Sequence, residues 1–337
     1  NINIKTKNAG WFWGNVMLSL RYLKRFALFL CLLSPLSGTS VAAELTRVKV
    51  ASTTKEVFDN LALYVAANGG LFKAEGLEVE ITHFAGGGDV VRAVASGAAD
   101  IGMVATTAAI IAAGRGEPLK IISAWTAPAY GILFVVPPDS PIKSVKDLAG
   151  KKVGITRPGS VSHTGLNAAL QANGILGQAE VVPVGAAGDG WTALKSGRVQ
   201  ATWHTAPDVY SLVDRGEAHI LFQISEYLKD YQQGSLAARD AYVQANGDTV
   251  RKFLKASVRA GEFIEKNPAE AAKMGAAGMG AAEQAMKQTI AAMPKGFFRI
   301  GAPQAKDFAG SVAEALESGG LKEAPSYDKV VDKNYLP

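Results

Sequence analysis

The stretch G-D-V-V-R-A-V-A-S-G at 88–97 returns at 188–197 as G-D-G-W-T-A-L-K-S-G, and both obey G-D-x-x-x-A-x-x-S-G. The surroundings repeat in the same order. V-K-V-A-S-T at 48–53 reads as a strand, and an amphipathic segment from Val57 ends in Ala67-Asn68-Gly69. K-V-G-I-T at 152–156 then opens a second round, whose helix from about Ser162 ends in Ala172-Asn173-Gly174. Strands I-G-M-V at 101–104 and A-T-W-H at 201–204 follow the two Gly-Asp elements at one offset. Alternating β-branched runs and helical periodicity indicate an α/β chain with largely parallel sheets. A duplicated unit then gives two similar lobes with a cleft between them.

The link Y-G-I-L-F-V-V-P-P-D-S-P at 130–141 starts as a strand and ends in prolines, as a crossover between lobes does. Q-G-S-L-A-A-R at 233–239 reads as a strand returning to the first lobe, and Thr249–Lys266, Pro268–Met279 and Ala302–Ser318 read as helices. The expected division is residues 44–135 with 233–337 as lobe 1 and 136–232 as lobe 2. Two crossings make a hinge.

Residues 1–43 read as a removable secretory signal peptide. Arg21, Lys24 and Arg25 precede an apolar run from Phe26 to Leu36, and Val41-Ala42-Ala43 supplies a small-residue cleavage site. That run is shorter than the roughly 20 residues a membrane span needs. The segment carries five basic side chains and no acid, out of 35 basic and 30 acidic in the whole chain, so the remainder is balanced. No excess of positive charge is left to recognise nucleic acid. The lone Cys31 lies in the same segment, which rules out disulfides, Cys-ligated metal and a cysteine nucleophile in the mature chain.

Ligands in open α/β sheets sit beyond the carboxyl ends of the strands, at helix N-termini. Those positions hold Ser52, Thr53, Thr54, Gly86-Gly87-Gly88-Asp89, Thr106, Thr107 and Gly159-Ser160-Val161-Ser162-His163-Thr164. Free backbone N–H groups and hydroxyls there suit an anion; one bond to a charged group contributes about 1.5–3 kcal/mol, so several must converge. The same residue types also cap helices, which is the first reading of Asp89 and Asp189. His163 serves equally well as a solvated first-turn side chain and His204 as a core histidine. Trp125, Tyr130, Trp191 and Trp203 stand near strand ends, where a ring either covers a flat ligand or packs the core.

The catalytic motifs fail individually. A nucleophile elbow centred on Ser162 has Ser160 and Thr164 where glycines belong. Sequence adjacency of His163 to Ser162 does not make it a base, so a Ser/His hydrolase or transferase is only a distant alternative. No third glycine completes a dinucleotide fingerprint after Gly88, and no phosphate-binding Gly-Lys-Ser/Thr occurs. His83, His163, His204 and His219 have no metal-ligand spacing. No cofactor and no metal are expected.

The duplicated plan, the run Gly159, Ser160, His163, the stretch 139–155 (D-S-P-I-K-S-V-K-D-L-A-G-K-K-V-G-I) and F-I-E-K-N-P-A-E-A at 263–271 resemble periplasmic solute-binding proteins of ABC importers, of the nitrate/sulfonate/bicarbonate type. The resemblance implies a two-lobed type II periplasmic binding protein fold, closure on a small molecule, and delivery to an ABC permease in the inner membrane by a periplasmic monomer. Carried over by position, Ser160, Ser162 and their neighbours receive the anionic end of a sulfonate, nitrate or bicarbonate. Thr53, Thr54, Thr106 and Thr107 face it. Some relatives read T-W-D/E-P after the second-lobe strand, whereas this chain has Trp203-His204-Thr205-Ala206-Pro207 and lacks that acid. An aminosulfonate is thereby disfavoured relative to an unaminated anion. An aromatic or pyrimidine ligand stacked on Trp125 or Trp203 is the alternative.

Overall fold

A computed structural model describes residues 44–84, 87–158 and 160–336. The segment read as a signal peptide lies outside the described residues, as does Gly159. Two mixed sheets organise the rest. The first has the order β11-β4-β10-β3-β1-β2, built from β1 (Thr46–Ser52), β2 (Leu77–His83), β3 (Ile101–Ala105), β4 (Leu119–Thr126), β10 (Gly234–Arg239) and β11 (Phe298–Gly301). The second has the order β7-β6-β8-β5-β9, built from β5 (Ile132–Val136), β6 (Lys152–Ile155), β7 (Glu180–Pro183), β8 (Ala201–Thr205) and β9 (His219–Gln223).

In each sheet the three strands of the repeat pair in parallel: β2-β1-β3 in the first and β7-β6-β8 in the second. The expectation of largely parallel sheets holds only for these triplets. Next to each triplet stands a strand that has just crossed over, and it runs antiparallel: β10 against β3 and β4, β5 against β8 and β9. A boundary at residue 135 falls inside β5, all of which pairs with the second sheet, because the chain has already crossed by Gly131.

The principal helices are α1 (Leu61–Asn68), α2 (Gly87–Ser96), α3 (Thr106–Gly114), α4 (Val161–Ala172), α5 (Ala187–Lys195), α6 (Asp208–Asp214), α7 (Gly247–Lys266), α8 (Pro268–Met279), α9 (Glu283–Ala292) and α10 (Ala305–Glu317). α7 shows why such segments fold. Val250, Phe253, Leu254, Ser257, Ala260, Gly261 and Ile264 recur at helical spacing and are buried, while Arg251, Lys252, Lys255, Arg259 and Lys266 face water. Phe253 stacks on Phe72 with centroids 4.9 Å apart. Full burial of each large apolar side chain contributes about 1.5–3 kcal/mol. α8 begins with Pro268 in its first turn, where the missing N–H costs nothing, and stops at Gly280 in the left-handed region, φ 74°.

The duplication extends to packing. In the first copy Gly102 on β3 lets α2 approach: a Cβ there would lie 2.6 Å from Val94 and 3.1 Å from Val90. In the second copy the small residue has changed sides. Gly190 on α5 faces Thr202 on β8, 2.6 Å from an added Cβ to the Thr202 hydroxyl. Asp89 and Asp189, read above as caps, sit inside the first turns of α2 and α5, where a carboxylate opposes the positive end of the helix dipole. Asp89 pairs with Arg92.

Candidate functional site

The two crossings lie side by side and are bonded to each other. Tyr130 in the first donates its N–H to Gln233 Oε1 in the second, at 2.8 Å. Gln233 Nε2 reaches both carboxylate oxygens of Asp59 at 2.9 Å. Trp125 Nε1 donates to Asp59 O at 2.8 Å, and Tyr130 Oη to Thr289 O at 2.6 Å. Burial pushes the Asp59 carboxyl up to about 7, with Gln233 opposing the shift. Trp125 and Tyr130 are 0% and 1% exposed. Both rings belong to the hinge and first-lobe core and have no surface to offer a ligand.

Beside this hinge a cavity of about 440 Å³ is walled by both lobes. The first lobe contributes Thr54 and Glu56 from the loop after β1, and Met279 to Ala282 with Ala285 from the α8–α9 turn. The second contributes Ala186 to Gly188 and Trp191 of α5, His204 and Thr205 at the end of β8, and Pro207, Asp208, Ser211 and Leu212 of α6 and its approach. Trp191 meets His204 edge to face, with centroids 6.3 Å apart. Ala186, the N-cap of α5, supplies no side-chain cap, so the first N–H groups of α5 are left for another acceptor.

His204 is the buried polar centre of this wall, 3% exposed. Its Nδ1 meets the Thr205 backbone, 2.9 Å from the N–H and 3.3 Å from the carbonyl oxygen, and Nε2 stands 3.6 Å from Asp208 Oδ2. Burial lowers the pKa of His204, against the Thr205 backbone and the Asp208 charge, so the ring is neutral at pH 7. Asp208, in the first turn of α6, lies four residues beyond His204 on the same wall.

A second groove of about 540 Å³ separates α4 from α10 and is lined by His163, Thr164, Asn167, Gln171, Glu314 and Glu317, among others. Glu314 is 4% exposed and accepts hydrogen bonds from the hydroxyls of Thr107 and Tyr231. Thr164, in the other lobe, donates to Glu314 Oε1 at 3.3 Å. Burial, with Glu314 beside it, pushes Tyr231 well above the ordinary tyrosine range. Glu314 thus supplies the negative charge at the N-terminus of α3, where the sequence suggested that Thr106 and Thr107 wait for a ligand.

Of the remaining predicted donors, the hydroxyls of Ser52, Thr106, Ser160 and Ser162 are engaged within their own lobes. Ser52 bonds Asn60, and Thr106 shares 2.7 Å with Ser235. Thr53 O accepts from His83 Nδ1 at 2.9 Å. Ser160 caps α4 by accepting from His163 N at 3.4 Å, and its hydroxyl lies 3.0 Å from that of Ser162. Ser162 is buried and accepts from Thr156 N at 3.0 Å, so its hydroxyl is a structural tie. Trp203 packs against both cores of the second sheet. Of the predicted contacts the cavity keeps Thr54 and His204. Glu56, Asp208 and the α8–α9 turn carry no motif; only Trp191, already noted as an aromatic near a strand end, could be anticipated. Among the described residues no cluster of three or more His, Cys, Asp and Glu could hold a metal.

Residues 58–271 match the model of the family described as NMT1/THI5 like. The chain is 26% identical over 229 residues to the putative binding protein YtlA of Bacillus subtilis, covering 67% of this chain and 68% of that protein. It is 28% identical over 215 residues to the formylaminopyrimidine-binding protein of Halalkalibacterium halodurans, covering 62% of this chain and 63% of the relative, under two thirds of its length. The structure of the periplasmic aliphatic sulphonate binding protein SsuA from Escherichia coli superposes with a TM-score of 0.73 at 18% identity, over 86% of this chain and 94% of that one, a likeness of fold. With its two sheets, paired crossings and interlobe cavity, the chain belongs to the NMT1/THI5-like family of substrate-binding proteins and has the two-lobed periplasmic binding protein fold.

Proposed function

We propose that this protein captures a small, flat, nitrogen-containing ring compound in the cavity walled by Trp191, His204 and Met279, by closure of the lobes, and passes it to an ABC permease. One observation carries the reading: the cavity takes its walls from both lobes and pairs an aromatic and apolar lining with a few polar groups, as small-molecule sites do. Trp191 offers a face, the α5 N–H groups meet ring acceptors, and Asp208 and Glu56 meet donors. An alkanesulfonate or nitrate fits less well, because among the described residues no Lys or Arg lines the cavity and two carboxylates do. The curated relative that binds a formylaminopyrimidine supports the same class. The protein acts by binding and without catalysis, in the periplasm, and residues 132–232 move as the second lobe.

The test is a thermal-shift screen of aminopyrimidines, flavin fragments, aromatic carboxylates, alkanesulfonates and nitrate, followed by calorimetry on wild type and Trp191→Ala. Ligand at 100 times its dissociation constant stabilises the native state by about 2.7 kcal/mol. Shifts confined to ring compounds and weakened at least tenfold by Trp191→Ala are expected. Shifts from alkanesulfonates alone, unaffected by Trp191→Ala, would overturn the assignment.

A further inference from the structure

We infer that the hydroxyls of Thr107, Thr164 and Tyr231 form a carboxylate-binding site drawn from both lobes, and that Glu314 fills it as a tethered ligand, holding the lobes together before any solute arrives. The inference does not depend on what enters the Trp191 cavity. Glu314 belongs to α10 and lines the groove between α10 and α4. Its Oε2 accepts from Thr107 Oγ1 and Tyr231 Oη, and its Oε1 accepts from Thr164 Oγ1 at 3.3 Å. Glu314, Thr107 and Tyr231 are all buried. Thr107 is the second residue of α3, so the carboxylate also lies near the positive end of that helix. Among the described residues its partners are hydroxyls, with no lysine or arginine in salt-bridge range. A buried carboxylate held this way is costlier than an apolar side chain of similar volume, so packing alone does not account for it.

The donors divide by lobe. Thr107 stands in the first lobe and Tyr231 in the second crossing, to which α10 is itself fastened. Ser311 Oγ donates to Gln232 O at 2.9 Å, Lys306 Nζ pairs with Asp230 at 2.9 Å, and Gly310 leaves no room for a Cβ beside the Asp230 carbonyl. Those two donors stay with Glu314 when the hinge turns. Thr164 rides on α4 of the second lobe, so its bond is the one that opening breaks. The closed state is thereby populated without solute, and the apparent affinity for any solute rises with that fraction. The groove also supplies a route from water, about 540 Å³ with exposed Gln171, Glu317 and Ser318 on its walls. Glu314→Ala removes Cγ, Cδ and both carboxylate oxygens, the same heavy atoms that make up acetate. A free acetate can therefore take the vacated place.

The experiment measures the melting midpoint and, by solution scattering, the radius of gyration of wild type and Glu314→Ala. Each is studied at pH 7 in sodium chloride, sodium acetate or sodium propionate of equal ionic strength, and with neutral acetamide. Glu314→Ala is expected to melt lower and to have the larger radius. Acetate should restore at least half of the lost midpoint, saturably, together with the wild-type radius. Propionate, one methylene too long, and acetamide, which lacks the charge, should restore little, and wild type should not distinguish acetate from chloride. Adding Thr164→Val to Glu314→Ala should leave the effect of acetate on the midpoint and abolish its effect on the radius. Acetate no better than chloride or acetamide overturns the carboxylate site. Equal radii for wild type and Glu314→Ala in chloride overturn the tether between lobes. Should Glu314→Ala not fold, Thr164→Val and Thr164→Ser decide: expansion by the first and not the second supports the tether, and equal radii overturn it.

Discussion

Replacing Asp59 with Asn should flatten one part of the pH dependence of stability, and the size of the effect follows from its burial. The carboxyl rises from 3.8 to about 7 on folding because the native state removes it from water, with the Gln233 amide offsetting part of the cost. A raised acid stabilises the native state fully below its unfolded pKa. That contribution is lost as pH climbs through the folded pKa, at about 1.4 kcal/mol per pH unit between roughly 4 and 7. Between pH 5 and pH 8 the loss comes to about 2.5 kcal/mol. The raw profile also contains His204, whose depressed pKa acts oppositely and removes stability as pH falls below 6.5. The difference between Asp59→Asn and wild type isolates the one group. Urea unfolding followed by tryptophan fluorescence, at pH 5 and pH 8, gives both stabilities. Asp59→Asn should gain on wild type by about 2.5 kcal/mol over that interval. A difference that stays constant within 0.5 kcal/mol, on the order of the measurement error, would refute a carboxyl kept neutral by the hinge.

Glu314→Gln should destabilise the protein by about 2 kcal/mol in urea unfolding, since it weakens acceptors for three hydroxyls, two of them buried. Thr164→Val removes only the bond across the groove; the ligand-free protein should then show a larger radius of gyration in solution scattering, with stability changed by less than about 1.5 kcal/mol. Gly190→Val places a Cβ 2.6 Å from the Thr202 hydroxyl and should cost about 1–3 kcal/mol. Adding Thr202→Gly recreates the Val90–Gly102 arrangement of the first copy, and a double variant that recovers nothing would refute the equivalence of the two packings.

The repeat made the architecture legible, because strand, helix and Gly-Asp element depend on local pattern and their second appearance corroborated the first. Helices α7 and α8 were read within two residues of their observed bounds, since apolar spacing, Pro268 and Gly280 mark their faces and ends. The antiparallel β5 and β10 were visible as strands, but their orientation depends on which sheet receives them. The site was much less legible. Hydroxyls at strand ends were taken for ligand donors, and most turned out to bond neighbours that only the fold supplies: Ser235 for Thr106, Glu314 for Thr107, Asn60 for Ser52. The residues that do line the cavity come from four separate stretches of the chain. Trp125 shows the limit of reading aromatics by position, because its strand end points at the hinge.

The strand order also dictates a sequence of events during synthesis. Every strand of the second sheet lies in one uninterrupted stretch between Ile132 and Gln223, so that sheet can assemble as soon as its own segment is available. The first sheet cannot. Its central position, between β3 and β4, belongs to β10, which emerges only after the whole second sheet has passed. Until then β3 and β4 present unpaired inner edges of the kind that recruit foreign strands. The half that begins first is finished last, and the interval between Thr126 and Gly234 is the period in which the chain is most exposed to misassembly.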